Sequence, residues 1–187
     1  MKLKLANVRL AFPDLWTARP GLNDSPARFG AKLIMEPGSK ALEQVEEAMK
    51  AEAKDVFGAS AAKVLKSLGE DKKCLRDGDN ATTKDGDVYG GFEGMMYLAA
   101  FNKKRPLVLD RDGSPTTEED GILYSGCYVH AIVDVYALDK RGQGKSINCS
   151  LGGIKFARDG EELAAGHRVT ADEFDDFEDV DDDDFTF

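Results

Sequence analysis

The sequence predicts a mainly β protein of the α+β class, in which a small closed barrel carries an inserted helical segment and a disordered acidic tail. Short segments with alternating apolar and polar residues recur along the chain and predict about five strands. A helical period occurs between residues 39 and 68. The last sixteen residues hold ten acids and no Lys or Arg. A length of 187 residues suits a single domain with excursions.

Residues 2–10 and 28–35 alternate as strands do, and a loop rich in Pro, Gly and Asn is expected between them. Ser39 is the expected N-cap of a helix that runs to about Phe57. A shorter helix over about 60–68 should stop at Gly69. The apolar stripe expected on the longer helix consists of Leu42, Val45, Met49, Ala53 and Val56.

Residues 76–94 are rich in turn formers, and three strands are expected after them, over about 94–101, 126–138 and 146–156. The middle one is the clearest because every second residue from Cys127 to Ala137 is apolar. Its other face should meet solvent or a ligand. That face carries Tyr128, His130, Ile132, Asp134 and Tyr136. A basic, glycine-containing hairpin loop over 139–145 should join the last two strands.

Composition argues against several classes of function. No apolar run is long enough for a membrane helix, and residues 1–5 alternate instead of forming a signal peptide, so a cytosolic location is expected. Cys74, Cys127 and Cys149 are widely spaced, and with two histidines they predict buried thiols and no metal site. No cofactor is expected.

Motif fragments in the chain lack the context that their chemistry needs. Gly144-Lys145-Ser146 resembles the end of a phosphate-binding loop, but Asp139 stands where that loop needs a glycine, and a strand-like segment follows. Asp77-Gly78-Asp79 and 110–113 lack the glycine and glutamate of a calcium loop. No catalytic Ser/His/Asp or Cys/His set is apparent, and no enzymatic activity is expected.

What remains is a pattern of rings and cations interleaved in β-structure. Proteins that bind single strands use rings to stack bases and Lys or Arg to follow phosphates. The candidate DNA-binding residues are Trp16, Tyr97, Phe101, Lys103, Lys104, Arg105, Tyr128, Tyr136, Lys140, Arg141 and Lys145. Any one strand aromatic is more often packed than stacked. Phe101 and Tyr97 can be core residues, and Trp16 is equally a loop anchor or a stacking platform.

The tail makes the charge distribution informative. Net charge is −10, but removing the ten acids of 172–187 from the 35 in the chain leaves 25, equal to the 25 Lys and Arg. The tail also contains four phenylalanines. Solvation of an acidic segment does not require aromatic residues, so a recognition role is favoured. Such a tail can imitate a DNA strand. The residues expected to bind a partner are Asp181, Asp182, Asp183, Asp184, Phe185 and Phe187.

An ordered series of motifs resembles a family of phage single-stranded DNA-binding proteins long catalogued as a domain of unknown function. The likeness covers about residues 5–165. It lies in 75–79, Tyr89-Gly90-Gly91, 100–106 with Val108, 124–129, the Tyr136 strand, Gly144-Lys145, 151–153 and 158–161. The tail is similar in design to those of T-odd coliphage and bacterial single-strand binders, where it recruits replication enzymes.

This resemblance implies an OB-fold over residues 1–170, with a helical excursion at about 39–68 and an acidic tail at 171–187. It implies binding of single-stranded DNA without marked sequence preference, in phage replication, recombination and repair, within the host cytoplasm. The partners would be single-stranded DNA and, through the tail, replication or recombination proteins. A monomer and a dimer both stay open.

Two other classes of function compete with DNA coating. In one, the tail mimics DNA to act on a host or phage enzyme and the body is a scaffold. The weaker one is a metal-dependent nuclease that uses Asp77, Asp79, Asp85 and Asp87.

Overall fold

The computed structural model of the chain describes residues 1–20, 26–140, 142 and 144–163. Within them the strands are β1 (Lys2–Arg19), β2 (Arg28–Met35), β3 (Leu75–Asp77), β4 (Met96–Asn102), β5 (Leu107–Leu109), β6 (Tyr128–Lys140) and β7 (Gly144–Arg158). The α-helices are α1 (Lys40–Phe57) and α2 (Ala61–Ser67). Short 3-10 turns cover Gly58–Ser60, Glu70–Lys72 and Gly78–Asn80. The predicted class, mainly β with a helical insertion, is confirmed.

One sheet contains all seven of these strands in the order β3-β4-β2-β1-β6-β7-β5. Neighbouring strands are antiparallel except β5 and β7, which are parallel. The sheet curls until β4 and the segment before β3 meet β7. Asn102 Nδ2 donates to Leu151 O at 2.8 Å, and Lys73 forms a β-bridge with Ile147. These contacts close the barrel.

The first strand is longer than predicted. The sequence indicates a loop from Pro13 onward, but β1 continues to Arg19. The ladder with β2 is irregular between Ala11 and Asp14, and Phe12 there has a φ of 48°. Because a bulge leaves a residue outside the ladder, Pro13 can lie in the strand without a missing hydrogen bond.

The helices follow their sequence signals closely. Ser39 caps α1, its Oγ accepting from the Leu42 N–H at 3.4 Å. Four residues of the expected stripe are buried, but Val56 is exposed and Phe57 is buried instead. Phe57 lies four residues after Ala53, so it continues the core-facing row. The short β5 has no counterpart among the predicted strands.

The inward faces of the strands and α1 form one core, and the predicted alternation in β6 is confirmed. A second, smaller cluster lies on the outer face of β2 and β4, where residues 81–95 fold back over the sheet. It is centred on Phe92, whose ring meets Tyr97 edge-on at 5.3 Å. This flap leaves the far ends of β2 and β4 uncovered.

Candidate functional site

Two adjoining depressions, of 170 Å³ and 490 Å³, lie where the barrel closes between β4 and β7. Tyr136 and Asn148 line both depressions. The two depressions therefore form one continuous surface, the cationic groove. The lining groups at one end are Arg28, Lys73, Arg76 and Phe101, and those at the other are Lys72, Lys140 and Ser146.

Two exposed rings face this groove. Phe101 is 39% exposed and Tyr136 is 37% exposed. Phe101 lies on the outer face of β4, opposite Gly30 of β2. A Cβ at position 30 would lie 2.3 Å from Phe101 Cδ1, so the ring occupies the space that Gly30 leaves open. Arg28 Cζ lies 5.2 Å from the Phe101 ring centroid, a cation–π distance.

Five cationic side chains and one acid, Asp71, are among the groups that line the groove. Lys72 pairs weakly with Asp71 at 3.9 Å, and Lys73 with Glu70 at 3.5 Å. Arg76 Nε donates to the Lys73 carbonyl at 2.9 Å, which orients the guanidinium without neutralising it. The groove therefore retains an excess of positive charge, although the charges of residues 1–171 sum to zero.

The groove floor is electrically neutral. Cys74 and Cys149 are buried beneath it, and burial raises the pKa of the Cys74 thiol to about 11. Burial likewise raises the pKa of Cys149 well above its usual range. Both thiols are therefore protonated near neutral pH, and they add no negative charge against a phosphate.

Lys32 extends the positive surface beyond Arg76. Its Nζ lies 4.4–5.7 Å from the ring centroids of Phe12, Tyr89, Phe92 and Tyr97. Burial and then the nearby charge of Arg76 lower the pKa of Lys32. Two of these rings, Tyr89 and Phe92, belong to the flap, so Lys32 links the flap to the rings of β1 and β4.

Three of the candidate residues line the groove: Phe101, Tyr136 and Lys140. Lys103, Lys104 and Arg105 are exposed on the turn after β4, outside its lining. The amide of Asn102 anchors that turn to β7, because Oδ1 accepts from the Lys104 N–H at 3.0 Å while Nδ2 binds Leu151 O. The turn that carries the three cations begins just after Phe101, which lines the groove.

Four other candidates lie elsewhere. Tyr97 is 6% exposed beneath the flap and presents no free face to a base. Trp16 is half-buried against the core, and its Nε1–H donates to Thr116 O at 3.4 Å, so its contacts are those of an anchor. Lys145 pairs with Asp139 at 3.8 Å and lies over the Phe57 ring, away from the groove. Tyr128 lines a separate depression with Arg9 and Arg158.

The candidate rings and cations therefore do not all lie along one surface. Tyr128 and Tyr136 share the outer face of β6 but are eight residues apart, about 26 Å at 3.3 Å per residue. Arg141 and the tail residues 181–187 lie outside the described residues. No group of three or more potential metal ligands occurs within the described residues.

Sequence reasoning missed four of the five groove cations: Arg28, Lys72, Lys73 and Arg76. Arg28 had a usable signal, since it alternates with Gly30 and Lys32 on the polar face of a predicted strand. Arg76 had no clear signal, because the three-residue β3 is too short to show a period. Lys73 lies outside the strands, and only its non-local bridge with Ile147 brings it to the groove.

A closed barrel with a cationic, ring-lined groove defines the class of OB-like proteins that bind single-stranded nucleic acid. A family model described as Enterobacter phage Enc34, ssDNA-binding protein, matches residues 1–186. The chain belongs to this family of phage single-stranded DNA-binding proteins. It is also 39% identical, over 183 residues and 94% of each chain, to protein p50 of Acyrthosiphon pisum secondary endosymbiont phage 1.

Solved structures confirm the fold. The single-stranded DNA-binding protein from bacteriophage Enc34, in complex with ssDNA, matches with a TM-score of 0.69 at 21% identity, over 87% of this chain and 89% of that one. The bacteriophage T7 protein gp2.5, a single-stranded DNA-binding protein, matches with a TM-score of 0.54 at 13% identity, over 100% and 98% of the chains. None of the described helices is long and apolar enough to span a membrane.

Proposed function

We propose that this chain coats single-stranded DNA without marked sequence preference during phage replication, recombination and repair in the host cytoplasm, with the strand lying in the cationic groove. The observation that carries this proposal is the placement of two exposed rings, Phe101 and Tyr136, among five cations along one surface. Family membership supports single-stranded DNA as the ligand.

Each part of the groove has a distinct role in binding. Bases stack on Phe101 and Tyr136, and each stacked base contributes roughly 1–3 kcal/mol. Arg28, Arg76 and Lys73 contact phosphates, and Lys103–Arg105 meet the strand where it leaves the groove. Every base has a π-face, so stacking tolerates all sequences. Binding and release break no covalent bond, and this role needs no catalytic group.

We also propose that the tail regulates this binding. Residues 172–187 combine ten acids with Phe174, Phe177, Phe185 and Phe187. Carboxylates can take the place of phosphates and phenyl rings the place of bases, so the tail competes with DNA for cations and rings. When DNA displaces it, the Phe-ending segment 181–187 becomes available to replication or recombination proteins.

A gel-shift series with single-stranded and duplex DNA at rising salt tests the groove. We expect Phe101→Ala/Tyr136→Ala to lose at least about tenfold in affinity for single strands, because two stacking surfaces are removed. Ile132→Ala is the matched control, since Ile132 is also 39% exposed on the outer sheet face but lies outside the groove. Equal affinity of the double variant and the control would refute this placement of the strand.

Truncation of residues 172–187 tests the tail. We expect tighter binding of single strands at low salt, where screening is weak, and a smaller difference at high salt. Unchanged or weaker affinity of the truncated chain would refute self-competition. If instead the full chain fails to bind DNA while the tail peptide captures a replication enzyme, the DNA-mimic alternative is favoured.

A further inference from the structure

A second polar depression, of about 300 Å³, lies at the opposite end of β6 from Tyr136. Its charged lining groups are Arg9, Lys40, Arg158 and Glu36, and Tyr128 forms part of its wall. We call it the Arg158 pocket. Three cations against one acid give it the same sign as the cationic groove.

Arg158 is held in place from several sides. Its Cζ lies 3.4 Å from the Tyr128 ring centroid, a stacking distance. Its Nε donates to Asn7 Oδ1 at 3.1 Å, and Nη1 donates to the Asp159 carbonyl at 3.5 Å. The guanidinium is thus ordered before any ligand arrives, although Arg158 remains exposed.

The partner that orients Arg158 is itself placed by an irregular backbone. Asn7 has a φ of 53°, and it lies where the β1–β6 register shifts between Leu5 and Val8. A non-glycine residue with positive φ is uncommon, and such positions and bulges are enriched at functional sites. Here the bulge brings the Asn7 amide to Arg158.

Within the described part of the chain, no carboxylate forms an ion pair with the cations of the pocket, although Glu36 lies in its lining. Arg9 donates to the backbone carbonyls of Gly126 at 3.3 Å and Glu161 at 2.8 Å. Among the ion pairs formed between described residues, none includes Arg9, Lys40 or Arg158. The nearby Asp159 carboxylate accepts from the Tyr124 hydroxyl at 3.1 Å.

We propose that the Arg158 pocket is a second contact site for the same single strand, with a phosphate between Lys40 and Arg9 and a base against the Arg158 guanidinium. This inference rests on the proposed function. Bases stack on guanidinium planes as well as on rings, and Arg is better suited to this than Lys. The two sites are about 26 Å apart along β6, so a strand stacked at about 3.4 Å per nucleotide reaches both with about eight nucleotides.

The length dependence of binding tests this proposal on the full chain. Affinity is measured for oligo-dT of about 4 to about 30 nucleotides. The chains compared are the unaltered protein, Lys40→Gln/Arg158→Gln and the control Lys50→Gln/Lys54→Gln. Lys50 and Lys54 are exposed on α1 and line neither site. We expect the affinity of the unaltered protein and the control to rise again once the oligonucleotide spans both sites, and we expect this second rise to vanish in Lys40→Gln/Arg158→Gln.

The salt dependence gives an independent reading. For long oligonucleotides, the Lys40→Gln/Arg158→Gln chain loses one phosphate-facing cation, Lys40, so the slope of log K against log salt should fall by about 0.7. Lys40→Gln alone, a surface change at the start of α1, should give the same fall, which keeps the test usable if the double variant does not fold.

Identical length and salt dependence in the Lys40→Gln/Arg158→Gln chain and the control would overturn the proposal. So would loss of affinity for free inorganic phosphate with no change for long oligonucleotides, because the pocket would then be a simple anion site. An Arg28→Gln/Arg76→Gln variant separates the two hypotheses. If Arg28→Gln/Arg76→Gln lowers the affinity for short oligonucleotides while the pocket variants leave affinity unchanged, the groove is supported and the second site is refuted. If Arg28→Gln/Arg76→Gln also leaves affinity unchanged, the proposed function is refuted.

Discussion

At the scale of single residues, the binding surface of the groove depends on which aromatic rings remain exposed. Phe101 keeps its exposed position because residue 30 has no Cβ, and Arg28 then lies against the same ring. Tyr97, four residues earlier on the same strand face, is covered by the flap around Phe92. Sequence periodicity places both rings on one face, but it does not reveal the flap, because residues 81–95 have no period of their own.

Gly30→Ala is expected to disturb binding through this contact. The new methyl group would lie 2.3 Å from Phe101 Cδ1 and displace the ring. We expect a loss of roughly 1–3 kcal/mol in oligo-dT binding, the value of about one stacked base, measured by fluorescence anisotropy. Gly90→Ala is the control, since a Cβ there meets no atom within 4 Å. An affinity equal to that of the control would show that the Phe101 ring does not contact DNA.

The thiol of Cys74 should make stability depend on alkaline pH. Its pKa is raised by burial from 9.0 to about 11, so between these values the unfolded chain loses a proton that the folded chain keeps. Stability is therefore complete below pH 9 and falls as pH rises toward 11, by up to about 2.7 kcal/mol at 1.36 kcal/mol per pH unit. Urea unfolding at several pH values measures this fall, and Cys74→Ala should lack the part due to this thiol. The same pH dependence in both chains would contradict the burial of a neutral thiol.

At the scale of elements, local signals specified most of the structure. The N-cap at Ser39, the stripe of α1 and the alternation of β6 each follow from residues near in sequence. The strand predictions that were wrong or missing concern non-local pairing. β1 continues past Pro13 because β2 pairs with it across a bulge. β5 forms because the edge of β7 is free to pair with it in parallel. The groove residues Lys73 and Arg76 were missed for the same reason, since barrel closure brings them to β7.

The turn after β4 offers a test of barrel closure. Asn102→Asp keeps the oxygen that accepts from the Lys104 N–H but loses the amide that donates to Leu151 O. We expect a loss of about 1–3 kcal/mol in the free energy of unfolding, because a part-buried acceptor is left without its donor and faces a carboxylate. Chemical denaturation measures this, with Lys103→Ala as an exposed control expected within about 0.5 kcal/mol of the unaltered protein. If Asn102→Asp is as stable as that control, the side-chain bond does not hold β4 to β7.

At the scale of the whole molecule, distribution matters more than net charge. A chain with a net charge of −10 is compatible with DNA binding because ten acids lie in 172–187, and the remaining charges cancel. Within the described residues, cations gather in the cationic groove and again in the Arg158 pocket. Sequence counts predicted the neutral body, but the segregation of charge into two surfaces arises from the fold.

The most direct measurement is photochemical cross-linking of the full chain to an oligonucleotide that carries halogenated deoxyuridine, followed by mass spectrometry of the peptides. Cross-links form where a base lies against an aromatic ring. We predict adducts on Phe101 and Tyr136, with the Phe101 adduct lost in Gly30→Ala. Efficient cross-linking that leaves both residues unmodified would contradict the binding of DNA in the cationic groove.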